Sequence, residues 1–343
     1  MVLKILQGIL ESDPQLTVVG TAKNGREALS LIPKLDPAVI CTDYHMPVMD
    51  GLKLIREVMQ EYPRPILVLS VSTQKNDAQK IFDMVEAGAL DVMGKPRGGR
   101  NSNYQEISKE LIKKIKVISG VYAFKKKFRP ALPSMEDASF KNVDSADIIQ
   151  PKRVNIVCIG SSTGGPNQLK FIFSQLPKEF PVPILCVQHV GEEFLEGLAD
   201  WLGSQCRIKI CFPNSGESPQ PGHIYFPRRN THLEIDDNGR IYLRPKSISD
   251  PYCPSIDITF RSVVNYYGKT AAAVLLTGIG KDGADGMLAI SKAGGLTIAQ
   301  NEESCIVFGM PREAIIRGAA EKVLSPEAIL HTLLGMKKIE TVN

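Results

Sequence analysis

The stretch Val154-Asn-Ile-Val-Cys-Ile-Gly160-Ser-Ser-Thr-Gly-Gly165 decides how the second half of the chain is read. Its first six residues form an apolar run with the composition of a buried parallel strand. The run passes straight into a glycine turn, and a helix is expected from Gln168. Gly160 to Gly164 spells Gly-x-Ser-x-Gly, and glycines permit a turn sharp enough to lift Ser162 above the sheet. The following helix start offers unpaired N–H groups and a positive dipole end, the environment that stabilises an oxyanion beside a serine. A phosphate loop would need Lys and then Ser or Thr after the last glycine, whereas Pro166 follows. A dinucleotide loop would need an acidic residue after the next strand, Pro183–Gln188, which ends in His189.

A serine nucleophile needs a base. Five histidines are present. His45 lies in the first half, His331 in a C-terminal helix, and His223 and His232 flank or sit within a hairpin expected from Ile224 to Leu243. His189 alone follows a strand neighbouring the serine turn, at the sheet end where open α/β folds assemble their sites. The third member should be a carboxylate after another strand. Ala271–Thr277 is such a strand, and it enters Gly278-Ile-Gly-Lys-Asp-Gly283 before a helix through Ser291. Asp282 therefore reads either as the orienting carboxylate or as a plain helix N-cap, and spacing leaves both open. The order Ser, His, Asp differs from the Ser, Asp, His of ordinary α/β-hydrolases, so the constellation sits on a different sheet. Cys253 is a weak rival nucleophile, with no histidine near it in sequence.

From Leu16 to Pro96, short apolar strands (Leu16–Val19, Ala38–Thr42, Pro65–Ser70, Leu90–Met93) alternate with amphipathic helices near Gly25–Ile32, Leu52–Glu61 and Ala78–Ala87. Leu3, Leu6 and Leu10 give an opening helix, and another runs from about Asn101 to Val117. That alternation implies a parallel sheet covered on both faces. Asp43, Ser70 and Lys95 each stand at a strand end. A carboxylate nucleophile beside a hydroxyl and an ammonium makes a phosphoryl acceptor site.

The 343 residues suit two domains; Phe128–Gln150 lacks periodicity and reads as a linker, with Lys125–Lys127 a solvated run. A net charge of +4 gives no basic stripe for nucleic acid. Seven cysteines without a Cys-x-x-Cys pair read as free thiols of a reducing compartment. No apolar run reaches the ~20 residues that span a bilayer, and the N-terminus lacks a signal-peptide pattern.

Two resemblances follow from these motifs. Asp43-Tyr-His-Met-Pro-Val-Met-Asp-Gly51 and Glu86-Ala-Gly-Ala-Leu-Asp-Val-Met-Gly-Lys-Pro96 resemble the phosphoacceptor loop and last strand of response-regulator receivers. Gly160–Gly165, Val187-Gln-His189, Pro254-Ser-Ile-Asp-Ile-Thr-Phe-Arg261, Leu276-Thr-Gly-Ile-Gly-Lys-Asp-Gly283 and Val307-Phe-Gly-Met-Pro311 resemble the catalytic domain of CheB-type protein-glutamate methylesterases. Together they imply an α/β chain of two domains. Residues 1–117 would be a flavodoxin-like receiver, 118–150 a linker, and 151–343 a doubly wound parallel sheet with a β-hairpin.

The resemblance implies that Ser162 attacks the γ-methyl ester of receptor glutamates, with His189 as base and Asp282 as its orienter. Thr163 and N–H groups near Ile279 and Gly280 would stabilise the oxyanion, and certain glutamines would be deamidated by the same route. It also implies Asp43 as the phosphorylation site, Ser70 as switch hydroxyl and Lys95 as phosphate contact. The unphosphorylated receiver would cover the site. Partners would be methyl-accepting chemoreceptors and the chemotaxis histidine kinase, in the cytoplasm, with no nucleic acid and no membrane insertion. Catalysis would need no cofactor.

Several departures stand out. Receivers begin with a strand ending in two acidic residues that hold Mg²⁺, and neither precedes the helix at Met1–Glu11. Either the sequence begins inside a longer frame, with Met1 internal, or the receiver is degenerate; retention of Asp43, Ser70 and Lys95 favours the first. Val190-Gly-Glu-Glu-Phe194, Pro227-Arg-Arg-Asn-Thr-His232 and Cys253 also differ from the family's usual loops, which bears on receptor preference. The competing reading is a phosphorylation-responsive binding module with an inert hydrolase domain.

Overall fold

The computed structural model describes residues 2–70, 75–96, 102–121 and 153–338, with side chains given from 79 in the fourth helix and from 104 in the fifth. The chain divides into two compact units, Met1–Leu132 and Pro133–Asn343. Most of the expected linker, including Lys125–Lys127, lies outside the described residues.

In the first unit the order is α1 (Val2–Glu11), α2 (Gly25–Leu35), β1 (Ile40–Thr42), α3 (Gly51–Glu61), β2 (Ile66–Ser70), α4 (Lys75–Ala87), β3 (Asp91–Gly94) and α5 (Ser102–Ile118). Helix starts follow local chemistry: Asn24 accepts the Glu27 amide and Asp50 the Lys53 amide, each satisfying a donor that the helix itself cannot. The three strands are parallel in the order β1-β2-β3. Ile9 of α1 meets Leu67, Leu69, Met93, Leu111, Ile115 and Ile118 in one core cluster.

The expected strand Leu16–Val19 is not one. A strand is defined by its pairing, and a cavity of about 190 Å³ lies between Val18–Ala22 and Ile40–Thr42. Among the described residues the segment has no ladder partner, and apolar composition alone does not make it a strand.

The second unit contains β4 (Arg153–Val154), β5 (Ile156–Ser161), α6 (Gly165–Phe173), β6 (Ile184–Gln188), α7 (Leu195–Gly203), β7 (Lys209–Cys211), β8 (His223–Tyr225), β9 (Thr231–Ile235) and β10 (Ile241–Pro245). It continues with α8 (Ile256–Tyr267), β11 (Ala271–Leu275), α9 (Ala284–Lys292), β12 (Leu296–Gln300), α10 (Met310–Ile316), β13 (Lys322–Leu324), α11 (Pro326–Leu334) and β14 (Lys337–Lys338). Seven strands form a parallel sheet in the order β13-β12-β11-β5-β6-β8-β7. Strands β5, β6, β11 and β12 are buried along their whole length, as a sheet covered by helices on both faces requires. The chain leaves β5 toward β6 on one side and returns through β11 on the other, so the topological switch lies at the end of β5.

The hairpin is β9–β10 alone. The expectation that it begins at Ile224 is corrected: Ile224 pairs with Ile184 and Ile210 inside the large sheet. Its apolar neighbours on both sides outweigh the pull of a local turn.

In the first unit, Lys114 of α5 reaches Asp91 of β3 at 2.5 Å, and both are buried. Burial lowers the Lys114 ammonium's pKa, but Asp91 and Glu110 outweigh it and the net shift is upward. Removing one partner of such a pair strands the other charge. Lys114→Met should therefore destabilise this unit by about 3 kcal/mol in urea unfolding; an unchanged midpoint would contradict it.

Candidate active site

Strand β5 delivers Ser161 opposite Gln188 of β6, so Ser162 and His189 are the next residues off two adjacent strand ends. The ladder continues beyond them: the His189 amide donates to the Ser161 carbonyl (2.9 Å) and the Ser162 amide to Thr277 (3.0 Å). Gly164 takes φ +80°, and a Cβ there would sit 2.6 Å from Ile306. A Cβ on Gly165 would meet Gln188 Oε1 at 2.1 Å. Only glycines fit this turn, as the Gly-x-Ser-x-Gly reading requires.

The buried Gln188 carboxamide fastens the two ends. Its Nε2 donates to the carbonyls of Ser162 (2.8 Å) and His189 (2.9 Å), while Oε1 accepts from Ser161 Oγ (2.6 Å). Thr277 secures the far side: its hydroxyl donates to Thr163 O (3.0 Å), and its amide donates to Gln300 Oε1 (2.8 Å). Gly278 passes so close to the serine that a Cβ would lie 2.6 Å from Ser162 Cβ.

Asp282 lies 2.8 Å from His189 Nε2 through Oδ2. The reading of Asp282 as N-cap of the helix that follows it is corrected. It does not cap α9, which it precedes and whose N-cap Gly283 makes no side-chain bond. Its carboxylate instead accepts the amides of Ile256 (2.7 Å) and Asp257 (3.0 Å) at the start of α8, and the Ser255 hydroxyl (2.9 Å). Burial pushes the Asp282 carboxyl up, but the hydrogen bond and charge of His189 and these two amides outweigh it. It is held ionised, so His189 carries its proton on Nε2 and presents a bare Nδ1.

Asp257 answers in kind, its carboxylate accepting the Gly286 amide of α9 at 2.6 Å. Each of the two helices thus begins on a carboxylate from the start of the other. Burial, followed by the charges of Asp282 and Asp285, lifts Asp257 to about 6 despite the Gly286 bond.

Thr163 is fully buried. Among the described residues the amides of Ile279 and Gly280 have no carbonyl partner, beside the serine that Gly278 touches. Burial pushes the Cys253 thiol up to about 11, which leaves it a poor nucleophile against Ser162.

In the first unit, Asp43 follows β1, Ser70 ends β2 and Lys95 follows β3. Lys95 Nζ pairs with Asp43 Oδ2, and the Lys95 amide donates to Ser70 O at 3.1 Å. Gly51 abuts the Asp43 carbonyl, where a Cβ would sit 2.0 Å away. The residues present do not fit Mg²⁺: among the described residues no group of three acidic, histidine or cysteine side chains is placed to hold a metal, and the Asp43 carboxylate faces Lys95.

Sequence reasoning missed Gln188, Thr277, Ser255 and Tyr252, whose ring stacks on His189 (5.3 Å, 12°). A polar residue closing an apolar strand marked Gln188, and a serine before a helical run marked Ser255 as an N-cap.

Residues 157–333 match the CheB methylesterase family, and residues 1–101 match the response regulator receiver domain. The chain belongs to the CheB methylesterase family. It is 38% identical to protein-glutamate methylesterase/protein-glutamine glutaminase 1 of Syntrophus aciditrophicus, covering 97% of this chain and 95% of that one. A protein of the same description from Halalkalibacterium halodurans is 36% identical, covering 96% and 94%. The crystal structure of the Thermotoga maritima CheB methylesterase catalytic domain aligns at TM-score 0.51 and 37% identity, covering 53% of this chain and 98% of that one. Family membership matches the resemblance drawn from the motifs, and the fold is the two-part α/β arrangement they implied.

The raised Asp257 carboxyl has a measurable consequence. The folded protein holds an extra proton between the ordinary value of 3.8 and about 6, so this group's contribution to stability falls as pH rises through that window. Relative to Asp257→Asn, the wild-type melting temperature should decline from pH 4 to pH 6.5. A pH-independent difference between the two would contradict this.

Proposed function

We propose that the chain hydrolyses glutamate γ-methyl esters on chemoreceptors, and deamidates receptor glutamines by the same route. The observation that carries this is the hydrogen bond from His189 Nε2 to an ionised, amide-held Asp282, one strand over from the Gly-x-Ser-x-Gly turn.

Ser162 Oγ attacks the ester carbonyl while His189 Nδ1 takes its proton. Asp282 fixes the tautomer and balances the imidazolium that forms. Thr163 and the N–H groups of Ile279 and Gly280 are the proposed stabilisers of the developing oxyanion. His189 returns the proton to the departing methoxide, which leaves as methanol, or to the amide nitrogen of a glutamine, which leaves as ammonia. It then takes a proton from water, which attacks the acyl-serine and releases the glutamate. No step requires a cofactor.

Asp43 is the proposed phosphorylation site of the receiver, with Lys95 and Ser70 at the neighbouring strand ends as phosphoryl contacts. A chemotaxis histidine kinase is the corresponding donor. The assignment rests on the Lys95–Asp43 pair and on the three successive strand ends. A cytoplasmic location is proposed along with these partners, and seven cysteines without a Cys-x-x-Cys pair support it. Among the described residues no helix is long and apolar enough to cross a membrane. The inert-module reading is not favoured: the relatives reported above are described as methylesterases and glutaminases, and the His189–Asp282 hydrogen bond supports the active reading.

The test is methanol release from membranes bearing methylated chemoreceptors. The full chain should release methanol, and Ser162→Ala should lose on the order of 10⁶ in kcat. Equal release by the variant, or none by the wild type, would contradict the proposal.

A further inference from the structure

His232 is fully buried on β9, and both of its ring nitrogens are engaged by one short loop. Nε2 faces Asp250 Oδ2 at 3.0 Å, and Nδ1 lies 3.1 Å from the backbone nitrogen of Ser255. A backbone N–H can only donate, so Nδ1 is bare and Nε2 carries the proton that Asp250 accepts. The Ser247 amide (2.7 Å) is the first cause that holds the Asp250 carboxyl down near 2; burial opposes it, and Arg244 and His232 add to it. Asp250 is therefore a fixed anion, and the His232 ring is a neutral staple joining the two ends of the loop 250–255.

What that loop carries gives the staple a role beyond folding. Tyr252 lies flat against the His189 ring, and a Cβ on Gly280 would touch its hydroxyl at 3.5 Å. Ser255 donates its hydroxyl to Asp282 and starts the helix whose first amides hold the same carboxylate. One loop therefore touches both the proposed base and its orienting carboxylate, from a stacking face and from a hydroxyl. A ring stacked on an imidazole restricts its rotation and favours the imidazolium by cation–π attraction.

We propose that His232 is a positioning residue of the active site, holding the loop 250–255 so that Tyr252 and Ser255 fix His189 and Asp282 in their reactive alignment. The proposal rests on the hydrolase reading above. A displacement of about 1 Å in such a constellation costs on the order of 10² in rate. The cost falls on kcat, because the loop acts on the alignment reached in the transition state and not on substrate affinity.

The experiment compares wild type, His232→Leu, His232→Asn, Ser255→Ala and the double variant His232→Leu/Ser255→Ala in methanol release from methylated receptor membranes. Proton NMR of the His189 Nε2–H bonded to Asp282 accompanies it and needs no substrate. His232→Leu should lower kcat by about 10²-fold with KM within about twofold, and the His189 proton should exchange faster with water. His232→Asn keeps an acceptor for the Ser255 amide, and should recover part of kcat even if the leucine variant folds poorly. The double variant should lose less than the product of the single losses, since both act through Asp282.

Wild-type kcat in folded His232→Leu, an asparagine variant no better than leucine, or multiplicative losses in the double variant would overturn the proposal while leaving the hydrolase intact. A wild type that releases no methanol would remove the hydrolase reading. The NMR signal would still decide the staple: unchanged exchange in His232→Asn and Ser255→Ala would overturn it.

Discussion

Two oxygens of one carboxylate hold the site together. Asp282 accepts the His189 imidazole, the Ser255 hydroxyl and the first two amides of α8, all within 3.0 Å. A buried carboxylate would ordinarily take up a proton to escape desolvation. Here two backbone amides at a positive helix end, together with the imidazole, reverse that tendency. The consequence bears on the proposed chemistry: an ionised Asp282 accepts the His189 Nε2 proton, and that tautomer is the one the proposed transfer of the serine proton requires. The same bonds are structural, because α8 would otherwise begin with unsatisfied buried donors.

The sheet supplies what the carboxylate needs. Because β5 lies between β6 and β11, the serine turn, the histidine and the Asp282 loop emerge side by side at the switch point. Close approach then depends on absent side chains, with Gly278 against Ser162 and Gly165 against Gln188. The reciprocal caps of α8 and α9 put two carboxylates near each other, and the pair resolves the conflict unequally: Asp282 is held down while Asp257 is pushed up to about 6.

Much of this was legible because its signals are local. The Gly-x-Ser-x-Gly turn, the histidine closing an apolar strand and the glycine loop around Asp282 each announce themselves within a dozen residues. Asp43, Ser70 and Lys95 were legible by the same rule of polar residues at strand ends. What stayed hidden depends on contacts distant in sequence. Spacing could not show that Asp282 accepts the first amides of a helix starting 26 residues before it, nor that it leaves the helix after it uncapped. Tyr252 and His232 looked like ordinary loop and hairpin residues until the fold placed them against His189 and Ser255. Leu16–Val19 has strand composition but no ladder partner among the described residues, and Ile224 left the expected hairpin for a buried place in the sheet. Both misreadings arise where tertiary pairing decides what local pattern only permits.

The central claim is that the Asp282 carboxylate, as an anion, orients the catalytic histidine. Asp282→Asn tests it most directly, since the amide keeps the shape but loses the charge and offers His189 a donor where an acceptor stood. Methanol release by the folded variant should fall about 10³- to 10⁴-fold in kcat. A folded Asp282→Asn protein that retains kcat within about tenfold of wild type would contradict the account.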